Sequence, residues 1–170
     1  MKNFKEIQAN DFNQSIFPMF EKDWALIATE AGQKANAMTA SCGGIGVLYP
    51  YGPVAFIFVR PQRYTQELIQ QSDTFSLNFF SPSYHDILAY FGKVSGRDED
   101  KIKKSNLTLQ HTIDTPYFEE ANTVFVCKKV YVQQLTGEGF LDASVPEKGF
   151  PENDFHYMYI GKIEKVLLSD

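Results

Sequence analysis

The pattern that most limits how this chain can fold lies near its end. TVFVCKKVYVQQL, residues 123 to 135, and HYMYIGKIEKVLL, residues 156 to 168, are long strand-like runs. The first is apolar on both faces of the pleat, and the second begins the same way. Such a strand needs an apolar interior on one face and a second cover on the other. A β-barrel with short inserted helices meets that need. Its outer face is then covered either by a second copy of the chain, as a homodimer, or by the chain's own helices.

The rest of the sequence supplies material for such a barrel. The length of 170 residues suits one sizeable core and is short for two. No repeat, low-complexity tract or linker divides it, so residues 1 to 170 read as a single domain. DWALIAT, 23 to 29, is a short strand, and NAMTAS continues the sheet after a turn at Ala31 and Gly32. GGIGVLYPYG reads as a loop full of turn formers. PVAFIFV, 53 to 59, is a continuous apolar run with the look of a buried strand. Pro61 ends it, and RYTQELIQQS predicts a short helix with Tyr64, Leu68 and Ile69 on one side. TFSLNFF, 74 to 80, predicts another strand. Ser81 and Pro82 look like a helix start, which makes SYHDILAYF the helix. Ser95 and Asp98 stand at capping-box spacing, with Asp in place of Glu. DEDKIKKSN then reads as a further short helix, its acids early and its lysines late, as the helix dipole favours.

Composition narrows the function. The formal net charge of −5 disfavours nucleic acid and anionic membrane as partners, since both select basic surfaces. The longest apolar runs are strand-sized and too short to span a bilayer. The opening MKNFKEIQANDF has no apolar signal region. Cys42 and Cys127 lie far apart and form no disulfide framework. These features predict a reduced, cytoplasmic, soluble protein. Arginine is scarce: Arg60, Arg63 and Arg97 are the three in the chain. Arginine suits two-pronged contact with phosphate or carboxylate. Two of the three within four residues are either an anion site or a pair of surface salt bridges.

Several chemistries find no support. GGIG is not a dinucleotide fingerprint, because Tyr49 stands where the third glycine belongs. Walker A and HExxH patterns are missing. His85, His111 and His156 are too scattered for a local metal motif, so no metal is expected. Cys42 follows Ser41 without a nucleophile elbow and reads as a small buried thiol.

Five blocks in order carry a resemblance: NAMTASCGGIG, VRPQRYT, TFSLNFF, FGKVSGRDEDK and DFHYMYIGKI. Together they resemble the flavin reductase-like family, whose fold is the FMN-binding split β-barrel and which includes flavoredoxins. The likeness runs from about Trp24 to Val166. It implies a mainly β fold, an FMN-binding split β-barrel with short inserted helices. It further implies that Ala37, Met38, Thr39, Ala40 and Ser41 lie along the edge of the flavin ring. Small residues there let backbone N–H and C=O groups come close. Arg60, Arg63, Tyr64 and Thr65 would surround the FMN phosphate. Asn78 and Phe79 would lie beside the ring, and Ser95, Gly96, Arg97 and Lys101 would complete the pocket. His156 matches a histidine on the face where nicotinamide stacks. One departure stands out: many relatives carry a large aromatic where this chain has Cys42.

The resemblance implies an NAD(P)H-dependent FMN reductase, in which the cofactor carries the redox chemistry. Two other readings stand beside it. One is a flavoredoxin-like electron carrier that serves a redox protein partner. The other is a flavin-binding module without turnover. The sequence does not distinguish NADH from NADPH.

Overall fold

The computed structural model describes residues 2–169. The chain opens with strand β1 (Phe4–Ile7) and a helical turn α1 (Ile16–Pro18) that widens through Met19–Asp23. Strands β2 (Ala25–Ala31), β3 (Lys34–Ala40), β4 (Gly43–Leu48) and β5 (Gly52–Val59) follow. Helix α2 (Tyr64–Gln71), strand β6 (Thr74–Phe79) and helices α3 (His85–Lys93) and α4 (Lys101–Ser105) come next. A small hairpin of β7 (Leu109–Thr112) and β8 (Thr115–Phe118) leads into the long strand β9 (Thr123–Gln134). Helix α5 (Ser144–Gly149) interrupts the return to the last strand, β10 (Tyr157–Ser169).

One antiparallel sheet carries the architecture, in the order β3-β2-β6-β9-β10-β5-β4. Strand β10 pairs with β9 along most of its length. On its other side it meets two strands in turn: β5 through residues 157–162 and β1 through residues 166–169. It can do so because it bends. The ladder to β9 slips between Ile160 and Gly161 and again between Ile163 and Lys165, as bulges do. Gly161 is required at the bend. A Cβ there would lie 2.7 Å from both the Phe75 ring and the Cys127 Cβ.

The strands feed two apolar layers by alternation. Ile27, Met38, Ile57, Phe75, Leu77, Phe125, Cys127 and Tyr159 point inward and fill the barrel. Leu26, Ala28, Ala37, Val124 and Val126 point outward, where Leu88 and Phe91 of α3 and Phe118 of β8 cover them. The first half of the 123–135 run is therefore apolar on both faces because the chain's own helix and hairpin cover its outer side. This half of the run needs no second copy. Farther along, the outer rows Tyr131–Ile160–Phe56 and Gln133–Met158–Phe58 remain half-exposed.

Three local readings change. GGIGVL is strand β4, paired with β5 from Gly43 opposite Ile57 to Leu48 opposite Gly52. Two of its glycines are seats for aromatic rings: a Cβ on Gly43 would meet the Phe20 ring, and one on Gly44 would lie 2.5 Å from the Phe56 ring. Helix α4 starts at Lys101, capped by the Asp100 carboxylate, which accepts from the Lys103 N–H at 3.0 Å. Ser95 instead caps the preceding turn through the Arg97 N–H. Cys42 is exposed at the bend between β3 and β4, whereas Cys127 is the buried thiol.

Candidate functional site

A cleft of about 470 Å³ opens between β3, the start of α2 and the segment after α3. That size falls within the usual range for small-molecule sites, about 300–1,000 Å³. Its walls include Asn36 and Met38 from β3, Arg60, Arg63 and Thr65 from the β5–α2 turn, and Lys93, Ser95, Gly96 and Lys101. No carboxylate lines it.

The cations are held in place from behind. The Arg63 guanidinium donates to the Gly92 carbonyl at 2.8 Å, and the Lys101 ammonium donates to the Phe91 carbonyl at 3.0 Å. Both carbonyls belong to the last turn of α3, the end of a helix that attracts positive charge. Lys101 is only 3% exposed. Burial, then the nearby Arg63 charge, lowers its pKa to about 8. The described residues offer it no carboxylate partner. A buried ammonium beside a guanidinium is costly unless an anion joins them.

Helix α2 begins at the same place. Arg63 is its N-cap and provides no side-chain cap, and Tyr64 and Thr65 of its first turn line the cleft. Thr65 is buried in the first turn, and its hydroxyl accepts from the Asn36 amide at 2.9 Å. The Asn36 oxygen lies where a Gly96 Cβ would stand, only 2.2 Å away, so glycine is needed to seat that loop on β3. The β3 edge on this side pairs with no strand among the described residues, because β3 ends the sheet. Strand-edge N–H and C=O groups therefore border the cleft.

The other named residues are placed as follows. Ala37 packs in the outer apolar layer and Ala40 in the barrel. The Thr39 hydroxyl donates to the Leu88 carbonyl and ties β3 to α3. Ser41 and Cys42 are exposed beyond the end of β3, away from the cations. Tyr64 borders the cleft with Arg97 stacked over its ring at 5.4 Å. Arg97 itself is ion-paired with Glu67 and donates to the Gln62 carbonyl at 3.0 Å. Asn78 and Phe79 do not reach the cleft. The Asn78 amide donates to the Leu26 carbonyl at 3.1 Å and accepts from the Phe118 N–H at 3.0 Å. Phe79 packs in the barrel against Phe20 and Phe125. His156 sits behind Arg60, edge-on to Phe150 at 5.3 Å. Burial first, then the Arg60 charge, pushes its pKa below the usual histidine range.

Sequence reading missed Asn36, Gln62 and Lys93. All three stand inside or beside the quoted blocks, where a polar residue next to a matched position was the available sign. It also gave no role to residues 136 to 153, which bring Phe140 and Phe150 onto Phe155 in one aromatic cluster next to His156.

A convergent set of donors at a helix start, with an unpaired strand edge beside it, is chemistry for a phosphate-bearing ligand with a polar-edged ring. The family model of the flavin reductase-like domain matches residues 19–170. The chain belongs to that family. Among solved structures, this flavin reductase-like chain is similar to an FMN-binding domain of a flavin reductase-like enzyme from Shewanella baltica OS155. The TM-score is 0.71 at 13% identity, covering 98% of this chain and 78% of that one. Flavoredoxin from Methanosarcina acetivorans gives a TM-score of 0.67 at 22% identity, covering 95% and 74%. The styrene monooxygenase flavin reductase from Pseudomonas putida S12 gives 0.61 at 17% identity, covering 85% and 77%. These likenesses establish the split-barrel fold for the flavin reductase-like chain. No curated protein matches it. Among the described residues, no group of three or more His, Cys, Asp or Glu side chains could hold a metal ion, and no helix is long and apolar enough to cross a membrane.

Proposed function

We propose that this chain binds FMN in the cleft and acts as an NAD(P)H-dependent flavin reductase. The observation that carries the reading is the pair Arg63 and Lys101, anchored on the last carbonyls of α3 and facing the start of α2 without a carboxylate between them. That donor set fits a phosphate monoester: two fixed cations, a hydroxyl at Thr65 and the start of a helix without a side-chain cap. The unpaired β3 edge at Asn36 to Ala40 fits the alternating donors and acceptors of a flavin ring edge. Bound FMN would supply the redox chemistry, taking a hydride from NADH or NADPH and passing electrons on. The protein's part is to fix the phosphate, present the strand edge to the ring, and leave one ring face open for the donor.

The apolar outer rows around Phe56, Ile160 and Tyr131 support a homodimer. They lie on the part of the sheet that α3 and the hairpin do not reach. An apolar face of that kind marks an interaction surface.

The visible spectrum of the purified protein, with and without added FMN, tests the first step. Anaerobic addition of NADH and then NADPH tests the second. Bleaching of the flavin band by either nicotinamide is expected. FMN bound but not bleached would point to the electron-carrier reading, which the anchored cations also support because they would retain the flavin tightly. Riboflavin bound as tightly as FMN would remove the phosphate argument.

A further inference from the structure

Arg60 lines the cleft, yet its guanidinium is already engaged. One Nη donates to Asp154, the other donates to the Gly149 carbonyl at 3.0 Å, and the group lies 5.3 Å over the Phe150 ring. Through Arg60, the cleft wall holds the strap of residues 149–154, far along the chain. The grip on Asp154 is incomplete. Its Oδ2 accepts from Arg60 and, at 2.9 Å, from the Gln62 amide, while its Oδ1 is buried without a hydrogen bond. The guanidinium fork is thus split between a carboxylate and a carbonyl and does not close on the carboxylate in the stronger two-pronged form. Gln62 and Arg97 continue the same network toward the segment after α3.

We propose that Asp154 is a positioning residue that competes with the ligand's phosphate for Arg60, and so sets how strongly the cleft discriminates phosphorylated from unphosphorylated ligands. This rests on the reading of the cleft as a phosphate site. The Asp154 carboxylate neutralises Arg60 in the free chain and repels an incoming dianion. When a phosphate enters, Arg60 turns part of its fork toward it and loosens its hold on the 149–154 strap. Two residues beyond Asp154 stands His156, which packs on Phe150 of the same strap. Phosphate binding at one wall of the cleft therefore reaches the segment that carries His156.

Asp154→Asn removes the charge and keeps the shape. FMN and inorganic phosphate should bind about two- to five-fold more tightly to this variant than to the parent, the gain of removing one partly exposed like charge. Riboflavin should bind equally to both, and the gain for FMN should shrink as salt rises. Asp154→Glu should restore the parent behaviour. Hydrogen exchange of residues 149–156 should quicken when phosphate is added to the parent, and should start fast in Asp154→Asn. A purely structural Asp154 would weaken all three ligands together, and that result overturns the proposal. FMN binding that is unchanged between parent and variant overturns it as well, and leaves the flavin reading intact. A gain for inorganic phosphate, read as a thermal shift, with no FMN binding by either protein would sink the flavin reading and sustain the competition.

Discussion

Lys101 is the residue whose surroundings make the sharpest demand. Its ammonium is buried with a single acceptor and a guanidinium for a neighbour, which lowers its pKa to about 8. Between about pH 8 and its ordinary value of 10.5 the unfolded chain holds this proton and the folded chain does not. The ligand-free protein should therefore gain stability across that window as pH rises. An anion in the cleft favours the charged form, so FMN affinity should fall as pH passes through about 8. Lys101→Met should flatten both trends, measured by denaturant unfolding and FMN titration against pH. Arg63 and His156 form a second test. Arg63→Ala should weaken FMN by about one to two powers of ten, the loss of a charge-assisted bond, with reduction by NAD(P)H recovering at saturating flavin. His156→Ala should leave FMN affinity nearly unchanged and slow reduction at limiting NAD(P)H, because donor positioning is lost. Stopped-flow reduction of the FMN-loaded variants separates these outcomes. At this scale the sequence was informative where a residue's type alone limits its use. Two arginines in four residues both line the cleft, one of them, Arg60, ion-paired with Asp154 and the other, Arg63, without a carboxylate. Asn78 looked equally polar and available, but its amide is consumed by Leu26 and Phe118, partners that no local pattern discloses. The Arg60 partner Asp154 is just as distant in the chain.

Elements were legible where burial leaves a periodic or continuous apolar trace. PVAFIFV and TFSLNFF became β5 and β6 nearly to the residue, and RYTQELIQQS became α2. Strand β4 was hidden because its three glycines carry turn propensity, while two of them, Gly43 and Gly44, are occupied by the rings of Phe20 and Phe56. The wrong cap for α4 had a similar origin. Ser95 and Asp98 matched the spacing, but Asp100 stands nearer the apolar residues that fix where the helix begins. Glycine also decides the bend of β10. Gly161→Ala would press a methyl group into Phe75 and Cys127 at a point where neither can retreat, and overpacking of that kind costs about 1–3 kcal/mol. Urea denaturation should show the loss, and FMN affinity should hold once the variant is folded. Gly96→Ala should do the reverse. It strikes Asn36 and Tyr64 at the cleft wall, so flavin binding should suffer more than folding.

For the whole molecule, the two-sided strand pattern announced a barrel but left its outer cover open between a second copy and the chain's own helices. The answer is divided along one strand. Helix α3 and the β7–β8 hairpin cover Val124 and Val126, and the far half around Tyr131 stays open. The dimer expectation thus moves to the Phe56, Ile160 and Tyr131 rows. Ile160→Lys should give the 19.4 kDa monomer mass by light scattering where the parent gives about twice that, with little loss of fold. The placement of β10 carries a different consequence, one of timing. β10 joins β9, β5 and β1, and it leaves the ribosome after all of them. Until it arrives, β5 lacks the neighbour it meets at Val59, and β1 lacks the only strand it pairs with among the described residues. Contacts this distant in sequence close slowly, and unpaired apolar edges invite aggregation while they wait. The nascent chain should depend on chaperone holding until residue 169 has emerged, and slow refolding from urea should follow from the same topology.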